Sequence, residues 1–175
     1  NKGSESQTKI SFTLLDLPYN LDGAYNPLSM RQSLDITYSF QRTSIWGLQK
    51  LSSKIFPNNE ILNAVVQKSM VWSGSYLWLI SGGWMHEEWH RNVMHSQGID
   101  SRNGIYHPEA WSDGLISVDQ VLDEDLARLK EDHPSYTVRL MSAGIEGQHV
   151  LVHRLGDELF FQDDQKSRDA LKIEL

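Results

Sequence analysis

Apolar side chains recur along most of this chain at helical spacing, and clusters of turn-forming residues cut them into segments. Residues 10–17 (ISFTLLDL) stand apart as the best strand candidate, after a polar stretch, 1–9, that is expected to fray. Residues 18–27 carry Asn20, Asp22, Gly23 and Asn26, and Asn26-Pro27 reads as an N-cap followed by a first-turn proline, so a helix is expected to start there. Leu28, Met30, Leu34, Ile36, Tyr38, Phe40, Ile45, Leu48, Leu51 and Ile55 mix helical and alternating spacings. They predict mainly helix, with a break around residues 43–47.

Pro57-Asn58-Asn59 ends that segment, and Ile61, Leu62, Val65, Val66, Ser69 and Met70 predict a second long helix. Residues 69–85 hold no charged side chain; these 17 positions touch the lower end of a bilayer span, although four Ser and three Gly make it a weak one. Two readings stand: a buried helix interrupted near Gly82-Gly83, or a membrane-embedded or interfacial helix that uses Trp72, Tyr76, Trp78 and Trp84.

Gly98 is expected to close the next helix, and residues 99–115 read as an irregular loop. Ser117-Val118-Asp119-Gln120 fits a capping box for a helix striped by Val118, Val121, Leu122, Leu126 and Leu129 and ending near Asp132. After His133-Pro134-Ser135, Val138, Leu140, Met141, Ile145, Leu151, Val152 and Leu155 mark a further helix that ends before Gly156. A charged amphipathic stretch, 157–175, follows it. The fold class expected is mainly α, with at most a small β element near the N-terminus.

A length of 175 residues suits one domain, 1–175, able to bury about two-thirds of the surface its unfolded chain exposes. The net charge of −7 argues against nucleic acid, whose binding rests on clustered Lys and Arg. Without cysteine there are no disulfides, thiolate nucleophiles or Cys-type metal sites, so any metal must be held by His, Asp or Glu. The chain opens at Asn1 rather than Met and reads as a processed product, a clipped chain or a piece of something longer.

His86-Glu87-Glu88-Trp89-His90 is an HExxH motif inside a segment that already reads as helical. On a helix, i and i+4 project from one face, so two imidazoles can reach one ion about 2.0–2.1 Å away. Glu87 lies one residue toward the open side, where a carboxylate can take a proton from a metal-bound water and pass it to a leaving amine. The alternative is structural: His86 and His90 flank a helix end, while Glu87, Glu88 and Arg91 form surface pairs.

The motif and its helical setting resemble the zinc metallopeptidases called zincins. The metzincin extension is missing, because Val93 and Ser96 stand where it needs Gly and His, and His95 is rotated off the ligand face. The gluzincin pattern implies a third ligand, a Glu from a downstream helix packed beside the first. Glu146 fits best, since Ala143, Gly144 and Gly147 around it would allow close helix approach. Glu109 and His107 are reserve ligands. Val150 stands where gluzincins often place an Asp that hydrogen-bonds a ligating His, so Asp113, Asp119 or Asp123 would have to orient one instead. His149 and His153 share a face with Glu146 and could stabilise an oxyanion.

The resemblance therefore implies one Zn²⁺ per chain on His86, His90 and Glu146, with Glu87 and His149 as catalytic groups, a peptide or protein substrate, and membrane contact through residues 69–85. Two rivals use the same residues differently. The first is a di-iron or di-manganese bundle built on Glu87, His90, Glu146 and His149, and the second is a non-catalytic helical interaction subunit.

Overall fold

The computed structural model describes residues 26–57, 60–105 and 116–161. Its order is α1 (Met30–Ile55), α2 (Glu60–Ser96), β1 (Arg102–Ile105), β2 (Ile116–Asp119), α3 (Asp123–Asp132) and α4 (Pro134–Phe161). The protein is mainly α, as its periodicity predicts. The strand expected at 10–17, the reserve ligands His107 and Glu109, Asp113 and residues 162–175 lie outside the described residues.

Helix α2 is the axis of the fold, in contact with both α1 and α4. From it Met85, Trp89, Val93 and Met94 enter a single apolar cluster with Leu34 and Ile45 of α1 and Leu140, Ala143, Leu151 and Leu155 of α4. The remaining buried positions of α1 are small or polar: Ser33, Thr37, Gln41 and Ser52. The Thr37 hydroxyl donates to the Ser81 carbonyl at 3.3 Å, so part of the α1–α2 contact is polar and close rather than oily.

Several boundaries differ from expectation for local reasons. Helix α1 begins three residues later than Asn26-Pro27 suggests, because Ser29 and Gln32 form a complete capping box there. It then runs unbroken through residues 43–47, and α2 likewise runs through Gly82-Gly83. At Gly83 a Cβ would meet Ile116 Cδ1 at 3.9 Å, an ordinary contact, which places β2 over this turn of α2. Helix α4 continues through Gly156 to Phe161.

The largest correction concerns residues 99–122. The expected loop contains β1, and the expected capping box at 117–120 is instead β2, paired antiparallel to β1 with Arg102 opposite Asp119 and Ile105 opposite Ile116. Ile116 and Val118 alternate with polar neighbours, which suits a strand lying on α2 better than a first helical turn. Gln120, at φ 61°, ends the strand. Helix α3 starts only at Asp123, with no side-chain cap and with Asp123, Glu124 and Asp125 placed to complement its dipole. The β element among the described residues is thus this hairpin, not an N-terminal one.

Gly98, at φ 72°, closes α2 as expected, since the left-handed backbone there favours glycine. Among the described residues no helix is long and apolar enough to cross a membrane.

Candidate functional site

His86 and His90 sit in the interior of α2, well before its end at Ser96, so they do not cap or flank a terminus. Their rings meet edge to face with centroids 4.7 Å apart, and their Nε2 atoms approach to 3.0 Å. Two imidazoles bound tetrahedrally to one zinc at 2.0–2.1 Å would hold their nitrogens about 3.3 Å apart. At 3.0 Å the pair is at hydrogen-bonding distance, somewhat closer than that spacing, so ligation would require both Nε2 atoms to be unprotonated.

The His90 ring is fixed from behind. Its Nδ1 lies 2.5 Å from the Leu140 carbonyl of α4, which can accept only from a protonated Nδ1. That tautomer leaves the Nε2 lone pair turned toward His86, and a backbone carbonyl on the far ring nitrogen is a common way to orient a metal-binding histidine. Burial holds the His90 pKa below the ordinary imidazole value and the neighbouring His86 pushes the same way, against the Leu140 carbonyl and Glu87. The neutral ring is the form that ligates a metal.

Gly144 and Gly147 explain how α4 comes close enough to do this. A Cβ on Gly144 would collide with the His86 imidazole, and one on Gly147 would lie 2.8–3.0 Å from the Trp89 indole. Ala143, fully buried beside them, completes a small-residue groove that receives the motif face of α2. Close approach of the two helices was expected from the sequence. What the groove receives is the ring of His86 and the indole of Trp89.

Glu88 is the residue sequence reasoning missed. Only the structural alternative gives it a role, in a surface pair, whereas Glu88 is 2% exposed and its partner Arg91 is 5% exposed. Arg91 donates to Glu88 Oε1 at 2.5 Å and to the Ser101 carbonyl at 2.9 Å. Asn103 of β1 donates to the same Oε1 at 2.7 Å, and the Leu28 amide donates to Oε2 at 2.8 Å. Asn92 bridges the Leu28 and Glu88 carbonyls. Burial pushes the Glu88 carboxyl above its usual range, with Arg91, Leu28 and Asn103 opposing. A signal existed: Glu88 falls on the stripe of Met85, Trp89 and Val93, on the core side of α2.

The remaining candidates among the described residues do not gather at the histidine pair. Among the described residues no three His, Asp or Glu side chains converge as a metal-holding group. Glu146 flanks the groove, but its Oε1 accepts from the Ser142 hydroxyl at 2.7 Å. His149 and His153 are exposed on α4, and Asp119 and Asp123 are exposed as well. Glu87, His90, Glu146 and His149 likewise do not come together as the four ligands of a di-metal bundle. Comparison with protein-family models, curated proteins and solved structures finds no match.

Proposed function

We propose that the chain is a zinc-dependent hydrolase of peptide bonds whose metal is held by His86 and His90. The observation that carries this reading is the approach of the two Nε2 atoms to 3.0 Å while the Leu140 carbonyl fixes the His90 tautomer. The donor set suits zinc at its histidine edge, being two nitrogens from consecutive turns of one helix, with His90 held neutral. Bound zinc would supply a Lewis acid and an activated water.

The chain's own residues supply the rest. Glu87, on the motif helix and half-buried, is the general base that accepts a proton and returns it to the leaving amine. Glu146 is the third-ligand candidate within the described residues, and ligation requires it to give up the Ser142 hydroxyl. Glu109 and His107 are its competitors.

Elemental analysis of protein purified without chelator and incubated with zinc tests the reading directly. One zinc per chain is expected, lost in both His86→Ala and His90→Ala. Loss in Glu146→Ala but not in Glu109→Ala or His107→Ala assigns the third ligand. Glu87→Gln should keep the metal and lose peptide hydrolysis. A metal-free wild-type protein overturns the proposal in favour of a structural histidine pair.

A further inference from the structure

The end of the α1–α2 hairpin is built the opposite way from the middle of the fold. At its distal half α1 buries Ser52, while Leu51 and Ile55 point outward; across the turn Ile61 is 79% exposed and Val65 54%. On α1, Trp46, Lys50 and Lys54 follow one another at four-residue steps, in the row beside Leu51 and Ile55. On α2, Ile61, Val65 and Lys68 run at i, i+4 and i+7. All three lysines are exposed, and a Cβ added to Gly47 would meet nothing within 4 Å, so these positions on both helices are open.

Charge is segregated in the same place. Between Asp35 and Glu87 the sequence holds one acidic residue, Glu60, against Arg42, Lys50, Lys54 and Lys68, in a chain whose net charge is −7. Exposed aliphatic and indole side chains among lysines are the composition of a segment that lies in a lipid interface, with its rings and branched chains below the headgroups and its ammonium groups against their negative charge. A second copy of the chain would suit the patch less well, because a two-fold contact would bring the same lysines face to face.

We propose that this hairpin end, with exposed Trp46, Leu51, Ile55, Ile61 and Val65 interspersed along its two helices with Lys50, Lys54 and Lys68, docks on an anionic lipid surface. The contact is peripheral, in keeping with the lack of a membrane-crossing helix among the described residues. It lies at the start of α2 rather than along residues 69–85, and it does not depend on the zinc reading.

The test is cosedimentation of the full chain with phosphatidylserine–phosphatidylcholine vesicles and with pure phosphatidylcholine vesicles. Binding is expected to the first and much less to the second. It should weaken as NaCl rises from on the order of 0.1 M to 1 M and the screening length falls from about 10 to about 3 Å. Ile55→Ser with Ile61→Ser, and separately Lys50→Glu with Lys54→Glu and Lys68→Glu, should each lower partitioning by about tenfold or more. Unchanged thermal melts would show that both variants still fold. The proposal is overturned by failure to bind the anionic vesicles, or by binding that neither variant weakens. A concentration-dependent dimer in the ultracentrifuge, abolished by the isoleucine substitutions without any vesicle binding, would also overturn it.

Discussion

The two halves of α2 follow opposite rules. In its last third even charge is buried: Glu88 and Arg91 are nearly inaccessible, Glu88 being matched by the Leu28 amide and Asn103 of β1, and Arg91 by Glu88 and the Ser101 carbonyl. In its first turns even large apolar chains are open, Ile61 most of all. The same helix thus serves as a scaffold where α4 and the β-hairpin close over it and as an uncovered surface where they do not. Apolarity alone does not decide which side chains are inside; the neighbours a segment can recruit decide it.

The sharpest way to break that comparison is to remove Glu88. Glu88→Ala leaves the Arg91 guanidinium buried with its main counter-charge gone, which for buried pairs costs about 3–5 kcal/mol. The Leu28 and Asn103 donors lose their acceptor at the same time. Glu88→Gln removes the same counter-charge but keeps an acceptor oxygen, and should cost somewhat less. Urea denaturation of the three proteins reads the difference. Equal stability for Glu88→Ala and the parent would mean that the network is not what fixes the α2 scaffold.

A smaller effect separates the two ends by apolar truncation alone. Ile45 is 1% exposed in the core, and Ile45→Ala should cost about 2–5 kcal/mol through lost contacts and a residual cavity. Ile61→Ala, at the open end, should stay within about 0.5 kcal/mol. Comparable losses at both sites would show that the hairpin end is covered in solution and would remove the contrast.

How far the sequence alone reached differs by element. The helices were visible because their apolar periodicity is long, and Gly98 and Asp132 closed theirs for reasons local to the chain. The β-hairpin was not, because four-residue strands owe their existence to pairing with each other and to Ile116 lying on Gly83, neither of which neighbouring residues encode. Ser29 caps α1 in place of Asn26, although both are good N-cap residue types, because its reciprocal bonds with Gln32 complete a capping box there. At the candidate site the i, i+4 histidine geometry and the close approach of α4 follow from spacing and glycine placement. The burial of Glu88 required knowing that Asn103 and Leu28 would reach it across the fold.

Next in size is the groove itself. Gly144→Ala places a methyl group into the His86 ring, and overpacking of this kind costs about 1–3 kcal/mol as the ring or the helix yields. The proposed site gives this substitution a second readout. If His86 is pushed from its place beside His90, zinc content should fall with it, whereas Ile61→Ala should leave zinc unchanged. A stable Gly144→Ala protein with full zinc would mean that α4 does not set the His86 position.

The smallest effect lies on the seam between α1 and α4, where polar groups are shared between helices instead of being left open. The Arg154 guanidinium carbon stands 3.8 Å from the centre of the Tyr38 ring while its Nη1 pairs with Asp35, and Arg42 pairs with Glu158 at 2.9 Å. Burial, followed by hydrogen bonding to and repulsion from Glu158, pushes the Tyr38 hydroxyl from 10.0 up to about 12. Because the folded value is the higher one, the fold favours the neutral phenol. Its contribution is intact below the unfolded value near pH 10 and is lost as pH rises toward 12. The stability difference between the parent and Tyr38→Phe should therefore shrink across that alkaline window, measured as paired urea midpoints. A difference that stays flat would mean that the hydroxyl titrates alike in both states, leaving the seam to its two ion pairs and the arginine stacked on the ring.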